Sequence, residues 1–412
     1  MSKVTSIPQL RFPEFSGEWK EKKLSDVAEI VGGGTPPTAV EKYWGGDIQW
    51  FTPTEIKNKY IVNSKRTITQ VGLDTSSARL LPKGTLLFSS RATVGEIGIA
   101  VQECTTNQGF QSFIVNKDND SEFLYNWIIK NKKEFIRRAS GSTFLEIGKS
   151  EIKKIKSNIP LLSEQQKIAA FLTAVDSKIE QLSKKQELLG EYKKGLMEQI
   201  FSQAIRFKAN DGSDFPDWEE KKLGDLSVVI SDGNYGELYP TSSDFKLTGV
   251  PFLRANNIKS LKIDGTDTKY ITEEQHSLLT SGHLQTNDIL ITTRGVLGNL
   301  AIVESTHNGS NINAQICLLR VTNTSELNHF YLLFVLDHRD SKKQYKAFET
   351  GTALKQLPKG NLRKIKLKLP TLFEQNKIAN FLSSIDTKIE QVDKQLDESK
   401  QFKKALLQQM FV

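Results

Sequence analysis

Arg91 and Arg294 stand in matching surroundings, Ser89-Ser90-Arg91-Ala92-Thr93-Val94-Gly95 and Thr292-Thr293-Arg294-Gly295-Val296-Leu297-Gly298, each beside hydroxyls and four residues before a glycine. A guanidinium can close on a guanine edge or a phosphate with two parallel hydrogen bonds, or it can serve a structural ion pair. Asn107-Gln108 and Asn313-Ala314-Gln315 follow downstream, and side-chain amides pair with adenine as well as they cap turns. Tyr43-Trp44, in a loop carrying glycine and lysine, offers rings for stacking or packing, and packing suits Trp44 better. These groups donate hydrogen bonds and present flat faces, which suits gripping a polyanion.

Residue sets that make or break bonds are missing from the sequence. An amino-methyltransferase needs an Asp/Asn-Pro-Pro-aromatic loop, whereas the pair Pro36-Pro37 sits between Thr35 and Thr38. Gly32-Gly33-Gly34 lacks dinucleotide-binding spacing and reads as a loop. Gly148-Lys149-Ser150 ends like a phosphate-binding loop, but Thr143 occupies the place of its first glycine. The histidines His276, His283, His307, His329 and His338 all fall in the second half without metal-ligand spacing, and the carboxylates are scattered singly. No cofactor or metal is expected, and the chain reads as a scaffold or reader, not an enzyme.

The elements that must position these groups are written twice. Phe12-Pro13, Trp19, Lys22-Lys23-Leu24 and Asp26 recur as Phe215-Pro216, Trp218, Lys221-Lys222-Leu223 and Asp225. A longer match runs at a constant offset of 210 positions, from Pro160 to Pro370 and from Phe201 to Phe411. It pairs Glu164-Gln165 with Glu374-Gln375, Asp176 with Asp386 and, further back, Gly141-Ser142 with Gly351-Thr352. Within it, Ile168, Leu172, Val175, Ile179, Leu182, Leu189, Leu196 and Ile200 follow steps of four and three, with polar Gln186 and Lys193 as gaps. Ile378, Leu382, Ile385, Ile389, Val392, Leu396, Leu406 and Met410 repeat the stripe, with Ser399 and Lys403 as gaps. The pattern predicts two helices of roughly 35 to 40 residues, some 50 to 60 Å long, in an intramolecular or homodimeric coiled coil, and two seams of matching register in one chain favour intramolecular pairing. Strand-like runs at 84–88, 97–101, 288–292 and 301–303 and helical patches at 122–138 and 326–345 predict a mixed α/β globule in each half.

Composition sets the wider bounds. The 412 residues carry 56 Lys and Arg against 48 Asp and Glu, a net charge of +8 that favours a polyanionic partner. Cys104 and Cys317 are too few for a disulfide framework and suit a reducing compartment as buried small hydrophobes. No run approaches the roughly 18 to 20 apolar residues of a membrane span, so a soluble, cytoplasmic protein is expected, with no membrane partner.

With these residues in view, the chain resembles the specificity subunit of type I restriction-modification systems. The resemblance rests on the Pro160 to Ala169 box and its copy at Pro370 to Ala379, on the Trp19/Lys23/Leu24 and Trp218/Lys222/Leu223 openings, and on the loop from Gly34-Thr35-Pro36 to Tyr43-Trp44-Gly45-Gly46-Asp47-Ile48. The second half departs from that loop, having Ser231-Asp232-Gly233-Asn234-Tyr235-Gly236. The resemblance implies an α+β fold of two target-recognition domains separated by two long antiparallel helices, with pseudo-twofold internal duplication. The expected limits are 12–150 and 215–358 for the recognition domains, and 151–205 and 359–412 for the helical regions. It further implies that each domain reads one half of a bipartite double-stranded DNA site. Two DNA adenine methyltransferase subunits and two restriction/translocase subunits would carry the catalysis. The candidate DNA contacts are then Thr35, Lys42, Tyr43, Arg91, Thr93, Asn107 and Gln108 in the first half, and Tyr235, Arg254, Asn256, Arg294, Asn313 and Gln315 in the second. A protein-binding assembly factor and a single-chain methylase are the other readings, and salt-sensitive duplex binding without methylation by the chain alone separates them.

Overall fold

The structure, a computed structural model, describes residues 7–141, 144–233, 235, 239–352 and 354–412; Ser142, Thr143, Asn234 and Gly236 fall outside them. The chain divides into two compact units, one running to Lys184 and including Asp393–Val412, the other spanning Lys185–Val392. The helices Leu162–Phe201 and Leu372–Gln409, 40 and 38 residues long, agree with the predicted lengths and contribute a segment to each unit.

In the first unit a five-stranded sheet runs in the spatial order Ala28–Gly32, Gln111–Val115, Leu86–Phe88, Ile97–Ala100, Tyr60–Ile61. A second sheet sets Trp44–Phe51 between Arg66–Ile68 and Cys104–Thr106. The second unit repeats both, as Val228–Asp232, Ile316–Val321, Ile289–Thr292, Leu300–Ile302 and as Lys269–Ile271, Val250–Leu253, Asn311–Ile312. The central strands are buried on both faces, which is why they read as short continuous apolar runs.

Each predicted helical patch is two helices. Ser121–Lys130 is capped by Asp120, whose carboxylate accepts from the Phe123 amide at 2.9 Å. The helix stops at Asn131, and Lys132–Arg138 turns Phe135 inward to lie 4.9 Å from the Phe88 ring. In the second unit, extended backbone at His338 separates His329–Asp337 from Arg339–Phe348. A break adds a turn that a periodicity spanning both helices does not register.

The two long helices pair antiparallel within each unit. Lys403 meets Asp176 at 2.5 Å in the first, and Lys193 meets Asp386 at 2.6 Å in the second. Lys193 and Lys403, gaps in the apolar stripes, are thus the cationic halves of equivalent interhelical ion pairs. Burial pushes the Asp386 carboxyl up from its ordinary range, and Lys193 opposes that shift.

At the start of each helix lies a buried carboxylate. Glu164, 2% exposed, accepts both prongs of Arg11, Nε at 2.7 Å and Nη2 at 2.8 Å, and the Trp19 indole N–H at 3.3 Å. Glu374, fully buried, receives Arg206 at 3.2 and 2.8 Å and the Trp218 indole at 3.0 Å. The guanidinium of each arginine is held more firmly protonated by its hydrogen bonds to the carboxylate. The neighbouring glutamine ties the helix to the globule: Gln165 accepts from the Asp120 amide and Gln375 from the Asn328 amide, both at 2.9 Å. Each glutamine also donates at 3.0 Å to the carbonyl of its box proline, Pro160 or Pro370. Replacing Glu164 or Glu374 by Gln leaves a half-buried guanidinium without its counter-charge. Urea titration of Glu164→Gln and Glu374→Gln is expected to show losses of about 1 to 3 kcal/mol, whereas Lys394→Ala, which removes an exposed pair with Glu398, leaves the transition in place.

Candidate nucleic-acid interface

In both units the site is built where the first strand of the large sheet ends and the chain crosses the loop that follows the third strand of the small sheet. A side chain at Gly33 would strike the carbonyl oxygens of Thr106 and Asn107, and one at Gly233 those of Ile312 and Asn313. Glycine permits this close backbone crossing. The crossing places Thr35 beside Gln108, its hydroxyl donating to Oε1 at 2.6 Å. Two indoles brace the Thr35 loop, Trp50 donating to the Gly34 carbonyl at 2.9 Å and Trp44 to that of Pro37 at 3.3 Å. Trp44 packs edge-on to Trp50 at 5.0 Å and stacks under the Arg66 guanidinium at 3.5 Å, so it is a packing residue.

Arg91 joins this cluster through the backbone. Ser90 donates twice to the Gly109 carbonyl, from its amide at 2.8 Å and its hydroxyl at 3.1 Å. Arg91 is more than half exposed, and its only described ionic partner is Glu146 at 3.7 Å, a loose contact in water. Asn107 folds its carbonyl onto the Gly109 amide at 2.9 Å, while Gln108 is exposed. Thr93 closes its own turn, its hydroxyl 2.8 Å from that of Ser89.

The second unit uses the same frame with different side chains. Tyr235 donates to the Ala314 carbonyl at 3.1 Å, and the Arg294 guanidinium lies 4.7 Å from the Tyr235 ring centre. Thr293 donates through its amide to the Gln315 carbonyl at 2.8 Å, and Asn313 donates through Nδ2 to Gln315 Oε1 at 3.0 Å. The Asn313 amide reaches the Leu253 carbonyl at 2.9 Å, which brings Arg254 next to the cluster. Asp267 holds Arg254 at 2.6 Å and Asn256 at 3.3 Å, and its carboxyl is held below the usual range by Lys269 and Arg254.

Thr35, Arg91, Asn107 and Gln108 therefore come together in one unit, and Tyr235, Arg254, Asn256, Arg294, Asn313 and Gln315 in the other. Lys42 and Tyr43 do not join through any described bond: their carbonyls accept from the Thr69 hydroxyl at 2.9 Å and the Thr69 amide at 3.0 Å. Thr52 and Thr54 escape the sequence reading. Their turn, closed by Glu55, follows the strand at Phe51 as Arg254 to Asn257 follows Leu253, and the Asn107 amide donates to the Phe51 carbonyl. The equivalent strand ends are the signal that marks them.

Both clusters present hydrogen-bond donors and acceptors and no set of groups arranged for bond-making. Among the described residues no group of three or more His, Cys, Asp and Glu is placed to hold a metal. Both cysteines are buried, which pushes the Cys104 thiol up to about 12 and Cys317 further in the same direction. No helix among the described residues is long and apolar enough to cross a membrane.

The family model described as "Type I restriction modification DNA specificity domain" matches residues 16–189 and again 216–399. The MjaIX specificity subunit of Methanocaldococcus jannaschii is 38% identical over 267 residues, 61% of this chain but only 60% of that protein's length. The putative MjaX specificity subunit of the same organism is 26% identical across 98% of this chain and 95% of its own. A solved S subunit from M. genitalium shares the fold with a TM-score of 0.64 at 18% identity, over 98% of this chain and 99% of that one. A chain from a structure on complex assembly and conformational transition of the type I R-M system gives 0.55 at 17%, covering 96% and 97%.

The frame itself is testable. Gly33→Ala and Gly233→Ala force backbone apart and are expected to cost about 1 to 3 kcal/mol in thermal unfolding. Gly295→Ala, with open space around it and Ala92 holding the same left-handed backbone in the other unit, is expected to cost only about 1 kcal/mol.

Proposed function

Because the chain belongs to the type I restriction-modification DNA specificity family, we propose that regions 12–150 and 215–358 each read one half of a bipartite duplex site. A specificity subunit binds DNA and assembles with the subunits that carry catalysis; it is not itself the enzyme. The observation that carries the finer reading is the pair of clusters: one backbone frame, built twice, presents an arginine with amides and hydroxyls in each unit. Different side chains on one frame suit two different half-sites, read by hydrogen bonds to base edges. The helical regions 151–205 and 359–412 set the gap between half-sites and dock two adenine methyltransferase subunits, with two restriction/translocase subunits completing the assembly in the cytoplasm. The chain's own residues bind and orient the duplex; S-adenosylmethionine and ATP chemistry belong to the partners.

Mapping methylated adenines genome-wide, with and without the chain, gives both half-sites and the gap. Arg91→Ala and Arg294→Ala are each expected to weaken specific binding by about 1 to 3 kcal/mol, and folded variants with wild-type affinity and methylation pattern would make these arginines structural. Exchanging 12–150 for the corresponding region of a relative is expected to change one half-site alone; a change in both, or in neither, removes the modular reading.

Helix length offers a separate test. Four added residues lengthen a helix by roughly 6 Å against about 3.4 Å per base pair, so the gap is expected to grow by one or two base pairs. Inserting them after Lys184 alone leaves the Asp176–Lys403 and Asp386–Lys193 pairs out of step. A matched insertion after Val392 keeps both pairs, and an active doubly lengthened protein with an unchanged gap overturns the ruler.

A further inference from the structure

Beside each arginine two short backbone segments pair, and an exposed apolar residue lies between them in the chain. In the first unit Ser140 and Glu146 exchange backbone hydrogen bonds of 2.9 and 2.8 Å, and in the second Thr350 and Gln356 exchange bonds of 2.8 and 2.9 Å. The paired segments are pinned to the arginine loops: Ala92 donates to the Leu145 carbonyl and Ile147 to that of Ser90, both at 2.9 Å. Gly295 donates to Lys355 at 3.2 Å and Leu357 to Thr293 at 2.8 Å in the same pattern. Gly141 and Gly351 adopt positive φ, 129° and 86°, in which an added Cβ would strike the carbonyl of Phe144 or Leu354. Phe144 and Leu354 nonetheless stand 60% and 58% exposed at equivalent positions, with Leu145 a further 42% exposed.

A single exposed hydrophobe needs no explanation, but a position built twice and set beside an arginine, Arg91 exposed and Arg294 half-buried, does. We propose that Phe144 and Leu354 are apolar DNA contacts, pressed against the bases next to those met by Arg91 and Arg294. A duplex major groove admits a two-stranded ribbon, and the thymine methyl groups that line it accept contacts from apolar side chains such as Phe. Cations outnumber carboxylates at each tip, Arg91 and Lys149 against Glu146 in the first unit and Arg294, Lys355 and Lys359 against Glu349 in the second, and that excess suits a polyanion better than a protein surface. This inference rests on the recognition reading above and adds residues outside the hydrogen-bonding clusters.

The test uses the full chain assembled with its modification subunits, and a duplex carrying the methylated motif mapped in cells beside a scrambled duplex. Phe144→Ala is expected to lose about tenfold or more in affinity for the cognate duplex, with the scrambled duplex unaffected, and Leu354→Ala to do the same through the other half-site. Phe144→Leu, which installs the residue the second unit uses, is expected to recover most of the loss. 2-Aminopurine placed along the half-site is expected to change fluorescence on binding the wild type and not Phe144→Ala. Wild-type cognate affinity in both alanine variants, while Arg91→Ala binds weakly, overturns this inference and leaves the recognition reading intact. Failure of the wild type to discriminate the two duplexes defeats both. Intact DNA affinity with lost assembly, seen by size-exclusion chromatography of the subunits, makes the tips protein contacts and overturns the proposal.

Discussion

A carboxylate buried at the first turn of a long helix is the constraint on which each unit depends. Removing a charge from water is expensive, and Glu164 or Glu374 tolerates it only with a forked guanidinium and an indole N–H supplied together. The arginine and tryptophan come from the segment preceding the globule, so satisfying one charge ties that segment to the helix. Gln165 and Gln375, one residue on, tie the same turn to the globule's helical layer. These bonds, together with Ile168, Ala169 and Leu172 in one core and Ile378, Ala379 and Leu382 in the other, fix the direction in which each helix leaves its globule.

The recognition clusters follow a different economy of constraint. Their frame is held by backbone: a glycine crossing, amides on carbonyls, and paired segments bonded to a loop. Because the glycine crossing and the amide–carbonyl bonds recur in both units, Thr35 and Gln108 can give way to Tyr235 and Gln315 while that backbone frame is kept. The arginines show the freedom this leaves. Arg91 faces a carboxylate across 3.7 Å, whereas Arg294 lies against a tyrosine ring, which restricts where it can reach. A stacked guanidinium loses less freedom on binding than a solvated one, so the two units differ in stiffness as well as in chemistry.

The long helices were legible in the sequence because a stripe in steps of four and three persists over about nine turns, and the duplication because an offset of 210 survives unchanged across it. Arg11 and Arg206 were not, since they stand eight and twelve residues before Trp19 and Trp218, and the repeat loses its register there. Glu164-Gln165 stood out as repeated residues, but their role needs partners from elsewhere in the chain. Lys193 and Lys403 read as flaws in a stripe because apolar periodicity does not register an ion pair formed across it. Lys42 and Tyr43 have the types of contact residues, and only the fold attaches their backbone to Thr69. Arg91 and Glu146, more than fifty positions apart, become neighbours through strand pairing that local pattern does not contain.

Phe411 packs against Trp19 and Phe123, and its carbonyl accepts from Lys130, 281 positions earlier. The unit whose sequence leaves the ribosome first therefore cannot complete its core until residues made long afterwards arrive. The other unit, contiguous from Lys185 to Val392, is free to close in the meantime. During synthesis the earlier unit waits with an aromatic slot open, a period in which a chaperone, or the matching helix end of another nascent chain, can occupy it. The last residues made are thus part of the core of the half made first, and nicks or truncations near Phe411 injure that half.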